Sequence, residues 1–214
     1  MLVKHDGRAV VANYGSAAGE LAACVSAVGL GDRSDLAILQ LAGATAALRH
    51  LSQRLTSSEI APGGAVFSGG AWWCAPSGER MLVLCEASRA ERWHAVLQAR
   101  VARRSAVTLT DRTADMAALA VVGRRSSALL AKLGVYGESG NPRDVPPLTT
   151  HTGAGGDVLW LLESDDKALA LMAAADAPAV WHAIERAGRP FGLCAVGQEA
   201  LARYGLIRRI PSPL

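Results

Sequence analysis

Gly29-Leu30-Gly31-Asp32-Arg33-Ser34-Asp35-Leu36-Ala37-Ile38-Leu39-Gln40-Leu41-Ala42-Gly43 is the stretch on which the fold turns. Residues 36–42 are apolar at almost every position, the pattern of a strand covered on both faces. Gly43 breaks the strand. Residues 44–55 then place Ala47, Leu48, Leu51 and Leu55 on one helical face. The same order returns at Asp111-Arg112-Thr113, followed by an apolar run from Met116 to Val122, then Gly123 and a second Ala/Leu-rich segment over residues 126–133. The aspartate-to-glycine gap is 11 residues in the first copy and 12 in the second. Two related strand-plus-helix units, with hairpins between them, predict two α+β lobes sharing sheets. Two unrelated units with similar punctuation would read the same way.

Working outward, residues 17–28 carry Ala18, Leu21, Ala22, Val25 and Val28 at helical spacing. Residues 62–70 are rich in glycine and predict turns around a short strand. A hairpin follows, with arms at Ala71-Trp72-Trp73-Cys74 and Arg80-Met81-Leu82-Val83-Leu84 and a turn at Pro76-Ser77-Gly78. Ser88-Arg89-Ala90-Glu91 has the form of a capping box opening a helix that buries Ala90, Trp93, Leu97 and Val101. A strand is expected from Val107-Thr108-Leu109. Residues 137–150, with three glycine or asparagine and three proline positions, are the best linker candidate. Strands are expected at 158–162 and 168–172 with a turn at 163–167. Asp176 is expected to cap a helix with Pro178 in its first turn, burying Val180, Trp181 and Ile184 and ending at Gly188. A last helix is expected over 198–204, ending at Gly205.

Composition excludes more than it names. The 214 residues are 50% apolar and 19% charged, enough for a buried core and unlike a disordered chain. The net charge of +3 from 22 basic and 19 acidic groups is too even to indicate nucleic-acid binding. The N-terminal residues lack the apolar core of a secretory signal, and no apolar run approaches the ~20 residues that span a bilayer. A soluble cytoplasmic protein without a membrane partner is expected. Cys24, Cys74, Cys85 and Cys194 show neither C-x-x-C nor zinc-site spacing, so ordinary reduced thiols are expected and no metal ligand is assigned. Gly153-Ala154-Gly155-Gly156 precedes a strand rather than a helix, so it reads as a turn and not a phosphate loop.

Three stretches resemble the folate-binding domain of the glycine-cleavage T-protein (aminomethyltransferase) superfamily. They are residues 29–34 with the strand and Gly43-Ala44 that follow, Asp176-Ala177-Pro178-Ala179-Val180-Trp181-His182-Ala183-Ile184, and Gly188-Arg189-Pro190-Phe191-Gly192-Leu193 with Val196-Gly197, Ala200 and Pro211. The Trp73, Gly78 and Met81-Leu82-Val83 hairpin, and the run from Asp111 through Gly123 to Leu129-Leu130, are also similar to the gamma subunit of heterotetrameric sarcosine oxidases. The resemblance spans residues 25–211. It implies two ferredoxin-like lobes, at about 25–105 and 106–211, within a single domain over 1–214 that lacks the C-terminal barrel of a full aminomethyltransferase. It also implies tetrahydrofolate as cofactor.

Departures from the family pattern bear on chemistry. The family's folate-contacting hairpin falls on residues 161–169, where Asp165 stands at the first glutamate, Leu162 at the tyrosine and Leu169 at the second glutamate. A second conserved motif of the family falls on residues 204–209, with Gly205 at its arginine and Ile207 at its glutamate. The turn that carries the family's catalytic aspartate falls on Gly69-Gly70-Ala71-Trp72-Trp73-Cys74, which has no carboxylate. One-carbon transfer to tetrahydrofolate needs a carboxylate near the reacting nitrogens, acceptors for the pterin N–H groups, and a cation for the glutamyl tail. Asp165 and Asp166 can supply acceptors, against the alternative of a solvated hairpin tip. Trp72 and Trp73 can stack on a flat heterocycle, but strand alternation puts only one on any given side, and core packing competes. Asp165, Asp166 and Trp73 form the expected cofactor-facing set, with no catalytic residue assigned. Arg124, Arg125, Arg203, Arg208 and Arg209 are candidates for the tail, or solvated surface charge. His151 lies in loop chemistry without an identifiable partner, and His182 reads as packing or surface.

Two functions follow from the resemblance. One is a tetrahydrofolate-binding, aminomethyltransferase-like protein of one-carbon metabolism with weakened or lost transferase chemistry. The other is a non-catalytic subunit that docks on a larger oxidoreductase, or a homodimer.

Overall fold

Each half of the chain lends one strand, Val28–Asp32 or Val107–Asp111, to the sheet built mainly by the other half. The computed structural model describes residues 1–5, 8–102, 106–153 and 156–207. In chain order the elements of the first half are β1 (Leu2–His5), β2 (Arg8–Val11), α1 (Ala17–Ser26), β3 (Val28–Asp32), β4 (Leu36–Gly43), α2 (Thr45–Thr56), β5 (Ala65–Ser68), β6 (Ala71–Ser77), β7 (Arg80–Glu86) and α3 (Ala87–Val101). The second half runs β8 (Val107–Asp111), β9 (Met116–Val122), α4 (Ser126–Lys132), β10 (Leu148–Gly153), β11 (Gly156–Ser164), β12 (Lys167–Ala173), α5 (Ala177–Gly188), β13 (Leu193–Ala195) and α6 (Gln198–Ile207). One sheet has the order β5-β6-β7-β4-β8 and the other β10-β11-β12-β9-β3-β13, beside a β1-β2 hairpin. Thus β8 pairs with β4, and β3 pairs with β9.

The repeated aspartate motifs are the two crossovers between sheets. Asp32 Oδ1 accepts from the Ser34 amide at 2.9 Å, and Asp111 Oδ1 from the Thr113 amide at 2.9 Å. These are side-chain-closed turns, the chemistry that favours aspartate there. The following arginines match as well. The Arg33 amide donates to the Ala118 carbonyl at 2.9 Å, and the Arg112 amide to the Ile38 carbonyl at 2.8 Å. Each crossover is therefore bonded to the central strand of the opposite unit.

The sheets pack face to face, with α2 and α3 outside one, α4 and α5 outside the other, and α1 and α6 on the inner face at β3. Leu36, Ile38, Cys74, Leu82 and Leu84 of the first sheet meet Ala118, Ala120, Val122, Leu169 and Leu171 of the second. The alternate residues point outward. Leu39, Trp73 and Val83 pack under α2 and α3, while Val121, Trp160 and Ala170 pack under α4 and α5. This alternation explains why the strands read as continuously apolar. In β3 the inward positions are Gly29 and Gly31. A Cβ at Gly29 would lie 2.6 Å from Cys24 Sγ, and one at Gly31 2.9 Å from the Val196 carbonyl. The glycines let α1, α6 and the Val196 loop close on the sheet. Buried Glu20 ties that corner together, its carboxylate accepting from the Tyr14 amide at 2.6 Å and the Gly197 amide at 2.8 Å.

Several local expectations give way to tertiary contacts. The β6-β7 turn sits at Gly78-Glu79, because Pro76 lies in β6 where the register slips between Cys74 and Ser77. A bulge accommodates a residue with no N–H to pair. Ser88 lies inside α3 rather than at its cap. Strand β7 runs straight into α3, Glu86 occupies the cap position, and the Ala87 amide bonds the Asp35 carbonyl at 3.1 Å instead. Asp176 makes no side-chain cap bond, since it closes a 3-10 turn at Ala174–Asp176. Helix α6 continues through Gly205 to Ile207. The linker candidate at 137–150 does not separate two sheets. It leads from α4 to β10, and the Leu148 amide bonds the Gly63 carbonyl at 3.0 Å. Strands β1, β2, β3, β10 and β13 were not legible, being short or glycine-bearing. Among the described residues no helix is long and apolar enough to cross a membrane.

The four cysteines are thiols, and Cys24, Cys74 and Cys85 are buried. Burial, then the nearby Cys194 and Glu20, push the Cys24 thiol from 9.0 up to about 12. Burial, then Glu163, raise the Cys74 thiol further. Unfolded thiols ionise where these folded ones do not, so unfolding releases protons at alkaline pH. Their contribution to stability is whole below an unfolded pKa of about 9 and is lost as pH rises through the folded values. The melting temperature should fall between about pH 8 and pH 10.5, and more steeply than in a Cys24→Ala/Cys74→Ala variant. Parallel slopes in the two proteins would contradict this assignment.

Candidate functional site

Toward the ends of β7 and β11 the inner faces of the sheets part and leave a groove of about 690 Å³. Leu36, Trp72 and Leu84 form the wall from the first sheet, and Leu169 forms part of the other. The alternation that buries Trp73 outward turns Trp72 into the groove. There its ring meets Phe67 at 5.3 Å between centroids, tilted by 59°.

The β11-β12 hairpin supplies the polar wall. Asp166 is buried, with Oδ1 accepting from the Ser164 hydroxyl at 2.8 Å and Oδ2 from the Tyr204 hydroxyl at 2.6 Å. Its carbonyl accepts from the Gly123 amide at 2.8 Å. The carboxylate is thus oriented by Ser164 of β11 and Tyr204 of α6, and its backbone by Gly123. Beside it, Glu163 receives the Lys167 ammonium at 2.7 Å. At the crossover end, Arg33 grips Asp35 with two bonds of 2.8 and 3.0 Å. Burial opposes the Arg33 charge, but the Asp35 bonds and the fields of Asp35, Glu163 and Glu86 outweigh it and raise its pKa. Arg89 lies across Gly70, a position whose φ of +76° and lack of Cβ admit the guanidinium. Three cations (Arg33, Arg89, Lys167) and three carboxylates (Glu86, Glu163, Asp166) therefore border one concavity.

Of the residues expected to face a cofactor, Asp166 lines the groove. Asp165 is exposed at the hairpin tip and is absent from the wall. Trp73 needs correction. It is 0% exposed on the opposite face of β6, edge-on to Trp93 at 5.3 Å and 83°. Arg124, Arg125 and Arg203 are exposed and outside the groove, while Arg208 and Arg209 lie beyond the described residues. His182 is exposed and meets Glu185 at 3.3 Å. His151 lies on β10, facing a different cavity. Phe67, Arg33, Arg89 and Tyr204 were not foreseen. Only tertiary contact brings them together, though Arg33 sits in the repeated motif and could have been flagged there.

Segments that the family pattern singled out converge here. Glu163, Ser164, Asp166, Lys167 and Leu169 come from residues 161–169, Tyr204 and Gly205 from residues 204–209, and Gly70 and Trp72 from residues 69–74. The arrangement can stack a flat ring on Trp72, accept hydrogen bonds from it at the carboxylates, and meet an anionic extension with Arg89 or Lys167.

No family model matches the sequence, and no curated protein matches it. Solved structures do match in fold. The glycine cleavage system aminomethyltransferase T from Bartonella henselae superposes with a TM-score of 0.69 at 16% identity, over 94% of this chain and 56% of that one. The present chain thus spans little more than half the length of that enzyme. A chain of the heterotetrameric sarcosine oxidase from Corynebacterium sp. U-96 superposes with a TM-score of 0.64 at 20% identity, over 83% of this chain and 93% of that one. The fold is α+β and is the one these two proteins share.

Proposed function

We propose, from the fold shared with aminomethyltransferase T, that the groove between the sheets binds a reduced folate or related pterin, as a binding site without group-transfer chemistry. The observation that carries this reading is the convergence of residues 69–74, 161–169 and 204–209 on one groove, with an aromatic ring on one wall and an oriented carboxylate on the other. The residues present suit such a ligand. Asp166 and Glu163 are acceptors for pterin N–H groups, Trp72 offers a ring face, and Arg89 and Lys167 suit glutamyl carboxylates. Tetrahydrofolate, when bound, would supply the one-carbon carrier. The segment corresponding to the family's catalytic turn contributes Gly70 and Trp72 to the groove and no carboxylate, which argues against turnover.

Calorimetric titration with tetrahydrofolate and 5-formyltetrahydrofolate tests the reading. Micromolar binding is expected, weakened about tenfold or more (about 1.4 kcal/mol) by Trp72→Ala and by Asp166→Asn. Asp165→Ala should leave it unchanged. Silence at millimolar ligand, or equal loss in Asp165→Ala, would sink the proposal.

A second reading has its own observation. Phe67 is 55% exposed at the groove, and Leu206 and Ile207 are 62% and 45% exposed on the turn of α6 after Gly205. Such an apolar rim suits a subunit contact, and the sarcosine oxidase chain that this one superposes on belongs to a heterotetramer. Silent titrations together with co-purification of a larger oxidoreductase, lost in Phe67→Ser/Leu206→Ser, would favour it.

A further inference from the structure

A second cavity, of about 470 Å³, lies on the outer face of the other sheet, beneath α5. It shares no lining residue with the central groove. Its floor is apolar, formed by Val158 and Trp160 of β11 and by Val180 and Ile184 of α5. Its charged lining side chains are basic, while the Asp176 carboxylate borders it at Gly156, where a Cβ would lie 3.3 Å from Oδ2. Lys132 stands at the end of α4, Arg186 in the last turn of α5, and His151 on β10, and no described lining residue is acidic. His151 has no hydrogen-bond partner among the described residues, and its ring rests on Gly134, where a Cβ would lie 3.1 Å from Cε1. Trp160 is 2% exposed, and its indole N–H has no acceptor among the described residues. Buried donors are rarely left so.

An apolar volume of this size, lined by one histidine and two cations, has the form of a small-molecule site. A cation or a zwitterion would meet repulsion from Lys132 and Arg186. A neutral hydrocarbon would leave His151 unused. We infer that this cavity binds a small organic monocarboxylate with an apolar body, of the aryl-alkanoate or medium-chain type, its carboxylate held by Arg186, Lys132 and His151. Lys132 and Arg186 also lie where cations offset helix dipoles. A purely structural role would appear in stability and not in binding.

The test is titration with 4-phenylbutyrate and its neutral analogue 4-phenylbutanamide at low salt and neutral pH. The acid should bind with a submillimolar dissociation constant, and the amide about tenfold or more weakly. Lys132→Ala/Arg186→Ala, at exposed positions, should weaken the acid about fivefold or more while leaving the amide unchanged. Ala183→Phe, on the α5 wall, should remove binding of both. Neither variant should alter the response to tetrahydrofolate, which separates this site from the groove. Equal affinity for acid and amide, no binding of the acid by about 10 mM, or a Lys132→Ala/Arg186→Ala protein that melts lower yet binds as before would overturn the inference.

Discussion

Trp73→Ala is expected to cost about 3–5 kcal/mol of stability, whereas Trp72→Ala, one residue away, should cost about 1 kcal/mol and act mainly on ligand binding. The difference is geometric. Trp73 is 0% exposed, set among Ala37, Leu41, Val83 and Leu97 beneath α3, with its ring edge-on to Trp93. Truncation would leave a cavity that the close-packed helix and sheet cannot refill, and would strip Trp93 of its aromatic partner. Its indole N–H has no partner among the described residues, so removal orphans none of them. Trp72 is half-buried on the groove face, where water replaces it. Thermal unfolding should show a loss of roughly 10 °C for Trp73→Ala and less than about 4 °C for Trp72→Ala, at 2–4 °C per kcal/mol for a chain of this size. Equal losses would mean that the assigned alternation of β6 is wrong.

Gly123→Ala should be nearly as damaging, at about 3 kcal/mol, from two sources. The residue has φ +124°, a backbone region essentially closed to L side chains, and a Cβ would lie 2.6 Å from both the Ala27 and Cys24 carbonyls. Those atoms are the end of α1 and cannot rotate aside. The same end is bonded by the next two amides, Arg124 to Cys24 at 3.3 Å and Arg125 to Ala27 at 3.0 Å. The repeat makes this a matched pair. Gly43 ends β4 as Gly123 ends β9, a Cβ there would strike the Ala106 carbonyl, and the Ala44 amide bonds that carbonyl at 3.3 Å. Denaturant unfolding checks the expectation, with a midpoint shift at constant slope. A shift below about 1 kcal/mol would show that the α1 end relaxes freely.

Much of the groove was visible beforehand as separate pieces. Residues 161–169 read as a hairpin with two aspartates at its tip, and the tryptophan pair was known to present only one ring to each side. Which aspartate and which tryptophan face the groove could not be read. The register shift between Leu162 and Ser164 moves the tip by one step, and one step in a strand exchanges the faces. Asp166 turns inward to Tyr204, a residue 38 positions away. Trp72, not Trp73, shares the inner side with Cys74 and Leu84.

Local chemistry alone determined the strand and helix units, the breaks at Gly43 and Gly123, and the repeat, because hydrophobic period, glycine and aspartate turns act over a few residues. Tertiary structure decided the exchange of β3 and β8 between sheets, the start of α3 at Ala87 ahead of Ser88, the lack of a side-chain cap bond from Asp176, and the membership of the groove. Those outcomes depend on pairings between residues far apart in the chain, such as Arg33 with Ala118 and Arg112 with Ile38. A backbone amide accepts whichever partner the packed sheets bring to it, and no local pattern records that choice.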